Sequence, residues 1–120
     1  MIGSVLNSHA LISLPLCHPN QPVMEIEFVV DTGFIGFLAL PPAAISALGL
    51  PYLQDIVATL ADGSEIQVAV HLATIRWHGE EHDVQVLATS KRPLLGTALL
   101  GGSELVAQFV DGGLVSIDPL

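Results

Sequence analysis

Three groups of residues have types and spacings that could do chemistry. His78, Glu81 and His82 fit H-x-x-E-H, a pattern that grips zinc when both histidines share one helical face and the glutamate acts as base. Here the run contains Gly79 and lies between stretches that alternate like strands. The two imidazoles would not converge there, and no third ligand is evident nearby. A solvated turn is expected, with a metal-dependent hydrolase as the reading that zinc content and chelator sensitivity would test. Gly96 to Ser103 has the spacing of a phosphate-binding loop, but Gly102 stands where the lysine belongs. Without that charge, nucleotide binding is not expected.

The third group is Asp31-Thr32-Gly33, directly after the apolar run Phe28-Val29-Val30. The tripeptide alone is weakly specific, and a polar turn after a strand would also explain it. Its context adds information. A carboxylate at the end of an apolar strand is poorly solvated, and isolating it there is costly. Two such carboxylates facing each other would share one proton, which is the acid–base arrangement that activates water. Gly33 permits close backbone approach, and the Thr32 hydroxyl is available to brace the loop.

The elements that must position these groups are mostly strands. Ile2–Asn7 and Ala10–Leu16 read as strands, separated by polar Ser8-His9, and Asn20-Gln21-Pro22 marks a turn. Val23–Val30 alternates at Glu25 and Glu27 and then becomes continuously apolar, predicting a strand that starts half-exposed and ends buried. A short strand over Phe37–Leu40 is followed by a helix opened by Pro41-Pro42 and stopped at Gly49. Ile56–Leu60 and Glu65–Ala73 flank Asp62-Gly63 as a tight hairpin. Thr74–His78 and His82–Ala88 flank Gly79-Glu80-Glu81 as a second. Thr97–Leu105 predicts a short helix, weakened by Gly101-Gly102, and Val106–Val110 with Leu114–Ile117 a last hairpin.

Composition bounds the function classes. The chain has 120 residues, which predicts a single domain over 1–120 able to bury a core without disulfides or metal. Three Lys+Arg against 12 Asp+Glu give a net charge of −9, too few cations to neutralise a nucleic-acid backbone or favour an anionic membrane. Only 12% of residues are charged while 51% are hydrophobic, which points away from disorder and toward a covered apolar surface. The single Cys17 reads as an ordinary reduced thiol. The N-terminus lacks a basic secretory n-region. The uncharged stretch 32–54 is broken by Pro41, Pro42 and Pro51, so a cytoplasmic protein without a membrane span is expected.

With these residues in place the sequence resembles the retropepsin-like aspartic proteases, in particular the small bacterial single-domain group whose motif reads D-T-G-F. Phe28 to Phe34 resembles the catalytic strand and loop. Thr59–Gln67, turning at Ala61, Asp62 and Gly63, lies where the family has its flap. Leu94-Leu95-Gly96 followed by Thr97–Leu100 resembles the late glycine motif and its helix.

The resemblance implies a mostly β, single-lobe acid-protease barrel with one or two short helices. It implies Asp31 as the catalytic aspartate, Thr32 and Gly33 as its supporting loop, and Phe34 with residues 61–63 against substrate. Because the chain holds one Asp-Thr-Gly, it also implies a homodimer hydrolysing peptide bonds, with neither metal nor cofactor. Phe34 replaces the small residue that viral and pepsin-like members carry, and Ile35 and Thr97 stand where viral members place a paired acid and arginine. Phe34 and the Asp62-Gly63-Ser64 tip motivate the alternative of a non-catalytic dimerisation or binding module.

Overall fold

A computed structural model describes residues 1–18 and 20–120. All ten strands join one sheet: β1 (Ile2–Leu6), β2 (His9–Cys17), β3 (Met24–Val30), β4 (Leu38–Leu40), β5 (Tyr52–Thr59), β6 (Glu65–Trp77), β7 (Glu80–Ala88), β8 (Leu94–Leu95), β9 (Ser103–Ala107) and β10 (Leu114–Pro119). Two short helices interrupt them, α1 (Pro42–Leu48) and α2 (Thr97–Leu100). The spatial order is β5-β6-β7-β4-β8-β3-β2-β1-β10-β9. An additional pairing of β2 with β6, through Leu16 opposite Ile75 and Cys17 opposite Thr74, closes strands β6, β7, β4, β8, β3 and β2 into a barrel. Closure encloses the apolar faces of these six strands, while β5 and β9 remain the sheet's edge strands.

The barrel core follows the period-two pattern of its strands. Ile12, Leu14 and Leu16 of β2, Phe28 of β3, Leu38 and Leu40 of β4, Ile75 and Trp77 of β6, Val84 and Val86 of β7, and Leu95 of β8 form one buried cluster. α1 adds Ile45 and α2 adds Leu99. Pro42 sits in the first turn of α1, where its missing N–H is not needed, and Gly49 closes the helix in the left-handed region at φ 66°. A smaller cluster of Val5, Ala10 and Val115 lies under β1 and β10.

Four expectations change. β6 is one continuous strand, where the sequence reading divided Glu65–Ala73 from Thr74–His78. Its buried positions switch from Val68 and Val70 to Ala73, Ile75 and Trp77 as it passes from the β5 hairpin into the barrel. That change of phase resembles a break although no turn residue occurs there. The β6–β7 connection is a two-residue turn at His78 and Gly79, both at positive φ, with Trp77 opposite Glu80. The β5–β6 connection is longer than the expected tight turn. Gly63 N donates to Leu60 O and only Gly63 is left-handed, so Asp62 stays in ordinary backbone space. Finally, α2 stops at Leu100 because Gly101-Gly102 turns the chain, with Gly102 at φ 77°. The freed residues 103–107 become β9, and residues 108–113 form a loop instead of a strand.

Candidate active site

Asp31 is held where two chain segments converge. β3 lies between β2, its antiparallel neighbour, and β8, which runs parallel with Val29 opposite Leu94 and Val30 opposite Leu95. One residue beyond β3, Asp31 N donates to Leu95 O at 2.9 Å. Its carboxylate Oδ1 accepts Gly33 N at 2.9 Å, and its carbonyl accepts Phe34 N at 3.1 Å. A Cβ on Gly33 would lie 3.2 Å from that same Oδ1, which is why a glycine suits the position. The side chain is half-buried at the chain surface, and Thr32 and Gly33 are exposed beside it.

The loop after Asp31 is laced to the segment after β8. Thr97 N donates to Phe34 O at 2.8 Å, Gly96 N to Phe37 O at 2.9 Å, and Ala98 N to Gly36 O at 3.2 Å. The Thr97 hydroxyl adds a longer contact to Phe34 O at 3.4 Å. Backbone bonds and a hydroxyl thus join the two segments. Ile35 is 84% exposed.

Phe34 packs against the glycines of this junction. A Cβ on Gly36 would lie 2.5 Å from its Cζ, and one on Gly96 would lie 2.7 Å from its Cδ2 and 2.6 Å from its carbonyl oxygen. The same Cβ would also collide with Gly36 O. The bulky ring therefore occupies space that two missing side chains provide.

Two concavities flank the Asp31 loop. One, of about 690 Å³, runs between residues 33–37 and Ile56, Ala58 and Thr59 of β5, with Gln85 and Leu87 of β7 at its wall. β5 therefore faces the loop that follows Asp31 across this space. The other, of about 400 Å³, is lined by Asp31 and Thr32 themselves together with Val29, Val30, Leu94, His9, Arg92 and Phe109. Leu94 lines the second space, and Leu95 and Gly96 line neither but bond to the Asp31 loop through Leu95 O and Gly96 N; Ala61, Asp62 and Gly63 are at the hairpin tip and line neither space. Sequence reasoning missed His9, Arg92 and Phe109. Only Arg92 carried a usable signal, as one of two adjacent cations in a chain that has three.

Hydrogen bonds order the hairpin tip. Asp62 Oδ1 accepts Ser64 Oγ at 2.6 Å and Ser64 N at 2.9 Å, and these bonds hold its carboxyl below the ordinary range. A depressed folded value means the stabilisation is present above the unfolded value of about 3.9 and is lost as pH falls through the folded one. The Ser64 amide resonance should therefore move with Asp62 titration at low pH. In Asp62→Asn, where the amide oxygen still accepts but does not titrate, it should stay in place. Movement in both proteins would refute the assignment.

The other sequence candidates do not assemble. His78 lies in the β6–β7 turn with Nε2 2.8 Å from Ser103 Oγ, while His82 on β7 lies 3.8 Å from Glu80. Among the described residues no group of three potential ligands could hold a metal ion. Gly96–Ser103 contains the single turn of α2 and a bend into β9, with no phosphate-loop shape.

Residues 18–103 match the family model described as aspartyl protease. The chain belongs to the aspartyl protease family. The fold of this aspartyl protease chain is that of the retropepsin-like group. A retropepsin-like aspartic protease from Rickettsia conorii superposes with a TM-score of 0.58 at 18% identity, covering 100% of this chain and 91% of that one. Simian foamy virus (mac) protease gives a TM-score of 0.51 at 20% identity, over 75% of this chain and 92% of that one. A comparison with curated proteins gives no match. The aspartyl protease chain has no helix, among the described residues, long and apolar enough to cross a membrane.

Proposed function

We propose that the chain is a single-domain subunit, spanning 1–120, of a homodimeric aspartic endopeptidase. The observation that carries this reading is the placement of Asp31. Its carboxylate sits at the chain surface, held by Gly33 N on a loop laced to the β8–α2 segment, and it opens onto a concavity. A single Asp-Thr-Gly per chain supplies one carboxylate, so two chains supply the pair the chemistry requires.

In the proposed mechanism the two Asp31 carboxyl groups share one proton around a water molecule. The ionised group takes a proton from the water as it attacks the peptide carbonyl carbon. The protonated group hydrogen-bonds the carbonyl oxygen, stabilising the charge that develops there. The resulting gem-diol collapses as a proton passes to the leaving amine, giving a free acid and a free amine. Neither a covalent intermediate nor a metal takes part. Thr32, exposed beside Asp31, braces the paired loops across the two-fold axis. The β5–β6 hairpin acts as the flap and closes over bound peptide to exclude water. Phe34, packed on Gly36 and Gly96, forms part of the cleft wall. The single free thiol of Cys17 fits a cytoplasmic setting.

Digestion of a denatured protein at acidic pH, followed at several enzyme concentrations, tests this reading. Specific activity should rise with concentration until the dimer is saturated. Specific activity independent of dilution down to nanomolar levels, with a monomer in solution, would argue against it.

A further inference from the structure

The chain carries three cations and twelve anions, and the placement of the cations is uneven. Arg76 on β6 faces Glu81 on β7 at 4.0 Å, in register across the strand pair. The other two, Lys91 and Arg92, are consecutive and exposed, with no ion pair among the described residues. They sit on the connection between β7 and β8. That connection is anchored immediately afterwards, because Val29 N donates to Pro93 O at 2.9 Å and Leu94 pairs with Val29. Arg92 therefore has a fixed base beside β3, and it borders the concavity that contains Asp31 and Thr32.

Val29, Val30 and Leu94 supply apolar lining to that concavity beside the polar His9 and Thr32, and Phe109, also in its lining, is 67% exposed. Apolar lining together with one guanidinium that has no ion pair suits a short aliphatic stem ending in a carboxylate, since arginine binds carboxylates through two parallel hydrogen bonds. The remainder of the molecule disfavours such a ligand. A net charge of −9 repels anionic peptides at long range. A preference for acid must then come from a local contact, and the Lys91–Arg92 corner is where the cations without partners lie.

Resting on the peptidase reading above, we propose that Arg92, supported by the charge of Lys91, selects peptides with a glutamate or aspartate close to the scissile bond. Arg92 acts on substrate choice and takes no part in bond breaking.

The test is digestion of a proteome-derived peptide library at about pH 5.5, where acidic side chains are ionised, with cleavage sites read by mass spectrometry. Wild-type protein, Arg92→Gln, Arg92→Lys and Arg92→Glu are compared. The wild type should enrich acidic residues at one position near the cut. On a matched pair of peptides differing by Glu against Gln there, kcat/KM should favour Glu about tenfold or more. Arg92→Gln should abolish that ratio, chiefly through a fall in kcat/KM on the Glu peptide. Arg92→Lys should keep part of it, and Arg92→Glu should shift the preference to Lys or Arg. Cleavage with the same ratio in all four proteins would overturn the inference alone. So would an equal loss on both peptides with a reduced dimer fraction, since that places Arg92 in subunit contact. A wild type that cleaves nothing in the library would overturn the peptidase reading and this inference with it.

Discussion

Asp31→Asn should reduce peptide hydrolysis by about 10³-fold or more while the protein still folds. Asparagine matches aspartate in shape, and its side-chain oxygen still accepts the Gly33 N–H that orients the loop. Asp31 N and its carbonyl keep their bonds to Leu95 O and Phe34 N. Stability should therefore change by less than about 1 kcal/mol, within the range of a substitution that removes no buried contact. What disappears is the group that takes a proton from water, a contribution of about 10²–10⁴ in rate. Losing the charge also weakens stabilisation of the transition state, which brings the loss to the upper part of that range. Peptide turnover and thermal unfolding measured on the same preparation separate these effects. Full activity in Asp31→Asn would remove Asp31 from the mechanism.

Gly96→Ala should cost at least about 3 kcal/mol of stability, at the upper end of overpacking penalties. The reason is space and not backbone dihedral, since Gly96 has φ −103° and ψ 176°, which any residue adopts. The added methyl would meet two carbonyl oxygens, of Gly36 and Phe34, and the Phe34 ring. Carbonyls in a hydrogen-bonded junction cannot swing aside as a flexible side chain does. Relief would break the bonds from Gly96, Thr97 and Ala98 to the loop after Asp31. At this chain length the melting temperature should fall by roughly 10 °C, and any protein that folds should lose activity because Asp31 is displaced. Gly101→Ala is the matched control. Its nearest neighbour is Ala98 O at 3.5 Å and its φ is −52°, so alanine fits and stability should hold or rise slightly. Equal melting temperatures for the two variants would show that the Gly96 junction is not tightly packed.

The contrast between these glycines shows what the sequence discloses. Gly49 and Gly63 are legible as turn residues because their role is local: a helix stop and a left-handed turn position. Gly96 is legible only through its resemblance to a motif. Its need for glycine arises from residues about sixty positions earlier that β8 brings alongside. Strand alternation located β2, β3 and β7, because none of them changes its buried face partway, as with Leu14 and Leu16 of β2 and Val84 and Val86 of β7. The same rule misread β6, whose buried face changes where it leaves the hairpin. The end of α2 was misplaced for a related reason. Two glycines outweighed the helix-forming residues around them, and pairing with β10 drew residues 103–107 into a strand.

The site divides along the same line. Asp31, Thr32 and Gly33 were legible because one tripeptide holds a carboxylate, a hydroxyl and a permissive backbone. Their surroundings were not. Phe109 reaches the Asp31 concavity because the β9–β10 loop is tied to the β1–β2 turn, where Asn7 N donates to Asp111 Oδ1 at 3.0 Å. No local pattern encodes a contact across 104 positions.

The central claim is that one active site needs Asp31 from two chains. Wild-type and Asp31→Asn proteins mixed in varying ratio at fixed total concentration, and left to exchange subunits, test it most directly. If both carboxylates are required, activity follows the square of the wild-type fraction, so an equal mixture retains about one quarter of the wild-type rate. A linear decline, leaving about one half, would show that a single chain carries the reaction and would contradict the account.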